Sequence, residues 1–180
     1  ADWISESFPG QFRNWFYSLL AQGAALESAK PFRAVFSYAL MRDEKGQEMP
    51  KSKGTAIWFE DAAEVMGVDA MRWVFMRHNP AANLNFGYGT ADEARRRFLI
   101  PLWNVYSFFV TYANIDGFNP ATSPEAEALS ELDRWIRSEL HSLTADVTAA
   151  LDDYDAAEAG RRMEEFVELL SNWYVRRSRR

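Results

Sequence analysis

Ala34-Val35-Phe36-Ser37-Tyr38-Ala39-Leu40-Met41 runs directly into Arg42-Asp43-Glu44-Lys45-Gly46-Gln47-Glu48-Met49-Pro50-Lys51-Ser52-Lys53-Gly54. The first run is apolar and largely β-compatible, with Pro31 ahead of it, and reads as a single buried strand. The second is too polar and too broken to be an element. Ahead of the strand, Phe12, Trp15, Phe16 and Leu19 recur at helical spacing, which predicts a short helix over residues 11–20. Beyond the loop, residues 60–66 and 69–77 read as two short helices hinged at Gly67. Helix, buried strand, polar loop and further helices are a piece of α/β architecture.

Working outward, the second half is helical. Ala94, Phe98, Leu102, Val105, Phe109 and Tyr112 step by three and four along one face of a long helix, with a kink expected at Pro101. Asp116-Gly117 and Asn119-Pro120 end it. Ser123-Pro124 is expected to open the next helix, whose stripe is Leu129, Leu132, Ile136, Leu140, Leu143, Val147 and Leu151. After a turn over residues 152–155, Ala159, Met163, Phe166, Leu170 and Trp173 form the last stripe. Three long amphipathic helices with short connections predict an up-down bundle, with Trp103, Phe108, Phe109, Tyr112, Trp135 and Trp173 as packing residues. The chain is therefore expected to be mainly α.

Composition narrows the chemistry. The 180 residues hold one domain or somewhat more, and 48% hydrophobic against 26% charged is a globular balance. No cysteine is present, which excludes disulfides, thiolate zinc sites, iron–sulfur clusters and thiol catalysis. His78 and His141 are the sole histidines, too few for a histidine-rich metal site, and no metal site is expected. No run of 18 apolar residues occurs, so no membrane span is expected. Ala1 opens the chain without Met or a charged-then-apolar leader, which reads as a cut rather than a beginning and shows no secretion signal. The net charge of −6 argues against non-specific nucleic-acid binding by the whole, yet Arg176, Arg177, Arg179 and Arg180 crowd the end. That run reads either as solvation of a helix end, where the dipole favours cations, or as contact with nucleic-acid phosphates. Arg95, Arg96 and Arg97 follow Asp92 and Glu93, as on a salt-bridged surface.

Most of the chemistry lies in the 48–54 loop. Ligands of open α/β sheets collect beyond the carboxyl ends of strands, and a lysine-bearing loop there can neutralise phosphate oxyanions. On residue types alone the loop reads either as such a grip or as a solvated hairpin tip. Met49-x-Lys51-Ser52-x-Gly54 resembles the K-M-S-K-S-x-G-N signature of class I aminoacyl-tRNA synthetases. Ala1-Asp2-Trp3-Ile4-Ser5-Glu6 followed by Gln11-x-Arg13-x-Trp15-Phe16-Tyr17 is similar to the stretch preceding that signature in isoleucyl-tRNA synthetases. Gly67-Val68-Asp69-Ala70-Met71-Arg72 resembles the segment that follows it. Residues 102–118, Leu132-Asp133-Arg134-Trp135-Ile136 and residues 171–180 are similar to the isoleucyl family in particular, so the resemblance covers essentially the whole chain.

The resemblance implies a C-terminal remnant of a Rossmann-like α/β catalytic domain followed by a helical-bundle anticodon-binding domain. Its implied boundaries are 1–58 for the end of the catalytic domain, with the signature loop at 48–55, 59–89 for a connecting stem-contact segment, and 90–180 for the start of the helical domain. It further implies an ATP-dependent isoleucine–tRNA ligase in the cytoplasm, with ATP and Mg2+, isoleucine and isoleucine tRNA as its ligands. Lys51 matches the signature lysine expected on the ATP phosphates, with Ser52 and Lys53 shaping the loop. Glu6 matches a glutamate that binds the aminoacyl-adenylate, and Gln11 and Trp15 match a pair beside the amino acid. Arg176, Arg177, Arg179 and Arg180 would meet tRNA.

This chain departs from the pattern. Glu48 replaces the first signature lysine, Pro50 the first serine and Thr55 the final asparagine. Pro50 fixes one φ and removes a donor, stiffening the loop. Ser7-Phe8-Pro9-Gly10 is one residue longer than the family's spacing and lacks its aspartate. No H-I-G-H-like segment occurs. The piece alone is therefore expected to be inactive without the remainder of its parent chain. The alternatives are a non-catalytic tRNA-binding module derived from a synthetase, or a valyl or leucyl relative.

Overall fold

The computed structural model describes residues 1–7, 10, 12–49, 54, 56–122 and 128–179, and about 65% of the chain is helical. It divides into two compact units, one formed by Ala1–Trp58 with His78–Gly87 and the other by Phe59–Arg77 with Tyr88–Arg180.

In the first unit, β1 (Trp3–Ser7) and β2 (Ala34–Tyr38) pair in parallel, from Trp3 opposite Ala34 to Ser7 opposite Tyr38. Parallel neighbours need a crossover, supplied here by a helical stretch. That stretch has wide π turns over Phe12–Phe16, kinked at Asn14, then α1 (Tyr17–Gln22), then wide turns again over Gly23–Glu27. It runs well beyond the expected 11–20. The expected single strand over 34–41 is broken. β2 stops at Tyr38, and β3 (Met41–Arg42) pairs instead with β4 (Leu84–Asn85), also in parallel. Between them, the Ala39 N–H donates to the Pro80 carbonyl at 2.8 Å and the Leu40 N–H to Asn83 Oδ1 at 3.1 Å. The strand is also not buried, because among the described residues β2 has a single strand neighbour and Val35 and Tyr38 stay exposed. The polar loop opens with an ordered turn in which Asp43 Oδ1 accepts from the N–H groups of Lys45 and Gln47.

In the second unit, α2 (Phe59–Met66) and α3 (Val68–Arg77) meet at Gly67, whose φ of +80° suits glycine alone, as the sequence predicts. The long helix is continuous as Tyr88–Ile115. It comprises α4 (Tyr88–Ala94), wide turns over Arg95–Leu99, and α5 (Ile100–Ile115). Pro101 has no N–H to offer the carbonyl four residues back, and the wide turns sit where that bond is missing. By length and composition this helix is apolar enough to cross a membrane, although no 18-residue run in the sequence is wholly apolar. It ends in a Schellman turn. The Phe118 N–H reaches the Ala113 carbonyl at 2.8 Å across Gly117 at φ +63°.

The next described helix, α6 (Glu131–Asp152), starts later than expected. Its cap is Ser130, whose hydroxyl accepts from the Asp133 N–H while Asp133 accepts from the Ser130 N–H, a closed capping box. Ser123 and Pro124 lie outside the described residues. A turn with Tyr154 at φ +60° leads to α7 (Ala156–Glu168), capped by Asp155, and on through Leu169–Val175 to a last turn, Arg176–Ser178.

A buried cluster in this unit is formed by Trp73, Phe98 and Val167, with Met76, Ala94, Leu99 and Met163 packed on it. The Trp73 and Phe98 rings stack at 3.6 Å, and the indole N–H donates to Glu164 at 3.1 Å. Buried Gly160 admits the Arg77 and Met76 side chains against α7. The expected packing role of the α5 aromatics is not met within the described residues. No residue of α5 is buried and Trp103 is 66% exposed, and in the last helix Trp173 is 47% exposed. Val105, Phe109, Tyr112, Phe118, Leu170 and Tyr174 border an open groove of about 590 Å³.

Candidate functional site

The carboxyl ends of β1 and β2 lie side by side, the position where parallel sheets present their ligand-binding groups. Glu6 sits there. Its Oε1 accepts from the Ser7 N–H at 2.8 Å and from the Tyr38 hydroxyl at 3.0 Å. The bond to Glu6 raises the Tyr38 pKa above its ordinary value, because the carboxylate favours the neutral phenol. Trp15 lies on the crossover, half-buried, with its indole edge-on to buried Phe16 at 4.4 Å. Both residues thus belong to one β–helix–β unit, which converts a nine-residue spacing in sequence into a shared structural frame.

Of the signature loop, the structure describes the two ends. Glu48 is exposed and Met49 half-buried at one end. Gly54 adopts φ +66° at the other, a left-handed turn that explains the glycine at this place in the pattern. Gln11, Pro50, Lys51, Ser52, Lys53, Thr55 and Arg180 lie outside the described residues.

Two of the C-terminal arginines are held on aromatic rings. The Arg177 guanidinium lies 4.1 Å from the centre of Trp173, and that of Arg179 4.6 Å from Phe108. Stacking leaves the N–H edge of a guanidinium available, so either the solvating or the phosphate-binding role stays open to them. Arg176 completes the exposed turn. Arg95, Arg96 and Arg97 are committed differently. Asp92 pairs with Arg95 and Arg96, and Glu93 pairs with Arg97 at 2.7 Å, as the charge pattern predicts. Among the described residues no cluster of three or more His, Asp or Glu is disposed to hold a metal ion.

Sequence reasoning missed Tyr38. Its distance from Glu6 is 32 residues along the chain, and nothing local marks it; only the strand register brings the two together. It also missed the Ser130 cap, although Ser130-Glu131-Leu132-Asp133 carries the cap pattern plainly.

Comparison with known proteins gives a consistent picture. The family "tRNA synthetases class I (I, L, M and V)" matches residues 1–87, and "Anticodon-binding domain of tRNA ligase" matches residues 133–180. The chain is 47% identical, over its whole length, to an isoleucine–tRNA ligase of Dehalococcoides mccartyi strain CBDB1. It is 44% identical to isoleucine–tRNA ligase 2 of Bacillus cereus strain ATCC 14579, and 43% identical to the isoleucine–tRNA ligase of Deinococcus radiodurans, each over 99% of the chain. The chain spans only 17–18% of the length of these relatives. Among solved structures, the agnB2 LeuRS of Agrobacterium radiobacter K84, in a ternary complex with tRNA and LeuAMS, superposes on 96% of the chain with a TM-score of 0.76. At 17% identity, with 22% of that larger chain covered, this is a likeness of fold.

Proposed function

Because the chain belongs to the class I aminoacyl-tRNA synthetases, on their isoleucine–tRNA ligase branch, we propose that the complete protein joins isoleucine to isoleucine tRNA using ATP. The observation that carries this reading is 47% identity, along the whole chain, to an isoleucine–tRNA ligase. In the first step the isoleucine carboxylate attacks the α-phosphorus of ATP. An acyl–phosphate bond forms, the α–β bridging bond breaks, and pyrophosphate leaves. In the second, the acyl group passes to a ribose hydroxyl of the tRNA and AMP leaves.

Negative charge grows on the departing pyrophosphate, and a cationic loop that closes on it lowers the barrier. Lys51 takes that role, with Ser52 and Lys53 in the same loop and left-handed Gly54 at its far end. Glu6 binds the adenylate, and Gln11 and Trp15 line the amino-acid side. The Trp15 indole forms part of an apolar wall, and such a wall separates isoleucine from valine by about 1–3 kcal/mol only, the worth of one methylene. Mg2+ enters as part of the MgATP substrate; the described residues offer no protein cluster for it.

The parallel β1–β2 pair with its helical crossover supports reading residues 1–58 as a remnant of a Rossmann-like catalytic domain. Residues 59–89 then connect to a helical-bundle anticodon-binding domain that begins at residue 90. Arg176, Arg177, Arg179 and Arg180 meet tRNA phosphates, and the stacking of Arg177 on Trp173 supports this by fixing its orientation. The site of action is the cytoplasm. The remainder of the parent chain supplies what these 180 residues lack, and alone they are inactive.

A second reading, a non-catalytic tRNA-binding module descended from a synthetase, is favoured by Glu48 and Pro50 in the signature. Charging distinguishes the two. Incubated with ATP, labelled isoleucine and isoleucine tRNA, the complete protein is expected to yield acid-precipitable isoleucyl-tRNA. Retention of tRNA on a filter with no charging would establish the module instead.

A further inference from the structure

At the carboxyl end of the β1–β2 pair, the Glu6 side chain is fixed, among the described residues, through one oxygen. Oε1 takes both donors, the Ser7 N–H and the Tyr38 hydroxyl, and no donor among the described residues bonds Oε2. A glutamate at a strand end is rich in rotamers, and freezing it when a ligand arrives opposes binding. Here the freezing is done in advance. The backbone bond alone is local and leaves the carboxylate free to swing about it. The Tyr38 bond comes from the neighbouring strand and fixes a second direction.

We propose that Tyr38 is a positioning residue: its hydroxyl holds Oε1 of Glu6 so that Oε2 is presented to an N–H or O–H donor of the isoleucyl adenylate. The proposal rests on the assignment of Glu6 to the adenylate. The Tyr38 phenol, held neutral by Glu6, remains a donor throughout the neutral range. Its ring is 41% exposed, so loss of the hydroxyl leaves no cavity and no buried orphan.

The test is a double-mutant cycle in the complete protein with Tyr38→Phe, Glu6→Ala and the pair. The readout is Kd for a non-hydrolysable isoleucyl sulfamoyl-adenylate, with the thermal midpoint recorded alongside. Tyr38→Phe is expected to weaken binding by about three- to tenfold, the worth of one exposed bond to a carboxylate, with an unchanged midpoint. Glu6→Ala is expected to weaken it further, and the double variant to match Glu6→Ala alone, since Tyr38 acts only through Glu6. Against an analogue without the α-amino group, the Tyr38 effect survives if the donor is a ribose hydroxyl and disappears if it is the ammonium. Wild-type binding by Tyr38→Phe alongside weakened Glu6→Ala overturns the role of Tyr38 and leaves that of Glu6 standing. A silent Glu6→Ala overturns both. A Tyr38→Phe effect that persists in the Glu6→Ala background overturns the positioning role.

Discussion

Glu158 shows how much one half-buried residue can be committed. It faces Arg161 and Arg162, with Arg161 Nε at 2.7 Å and Arg162 Nε at 2.8 Å. The bond from Arg161 is the largest cause holding its carboxyl down at about 2, with Arg162 adding to it. The ordinary value is 4.5, so the folded pKa is depressed and folding favours the charged form. The stabilisation is therefore complete above about pH 4.5 and is lost as pH falls toward about 2. Glu158→Gln is expected to lower the urea midpoint by a small amount at pH 7, since solvent-screened pairs are weak. The gap to the parent should close between pH 4.5 and 2. A gap that stays constant over that range would refute the pairing. At this scale legibility was uneven. The Asp92–Arg96 and Glu93–Arg97 pairs follow from four-residue spacing. The Glu6–Tyr38 bond does not, because it depends on a register that no local pattern encodes.

Among the elements, helices announced themselves more fully than strands: β2 was read from Ala34 onward, whereas β1 and β4 were not. The hinge at Gly67 and the stop at Asp116-Gly117 rest on backbone conformations that one or two residues dictate, so the sequence displays them. The break in the strand at Ala39-Leu40 is imposed by Pro80, Asn83 and Leu84, which lie about forty residues away along the chain. The start of α6 was legible in principle. Ser130 and Asp133 close a capping box, and the Tyr174 hydroxyl adds a bond to Asp133 at 2.7 Å that ties α6 to the last helix. The Ser130 hydroxyl is the first of the bonds that lower the Asp133 pKa, ahead of that from Tyr174. Ser130→Ala should cost about 1 kcal/mol, read as a lower urea midpoint at unchanged slope, and Ser130→Asp should restore most of it. An unchanged midpoint in Ser130→Ala would mean that the box does not hold the helix start.

For the whole molecule, the mainly helical character was legible, and so was the family, because the signature loop and the long blocks in the helical half survive together. The exposure of the α5 aromatics was not. A 3.6-residue stripe says that a face is apolar and leaves open what covers it. The comparisons extend along the whole chain while the chain spans 17–18% of its relatives, so function belongs to the complete protein. The most direct measurement is isoleucine-dependent exchange of pyrophosphate into ATP by that protein, with and without Lys51→Ala. Exchange is expected to need isoleucine in preference to valine or leucine, and to fall about 10²–10³-fold in Lys51→Ala, as for other groups that stabilise developing charge. Exchange driven by valine or leucine, or undiminished by Lys51→Ala, would contradict the proposed function.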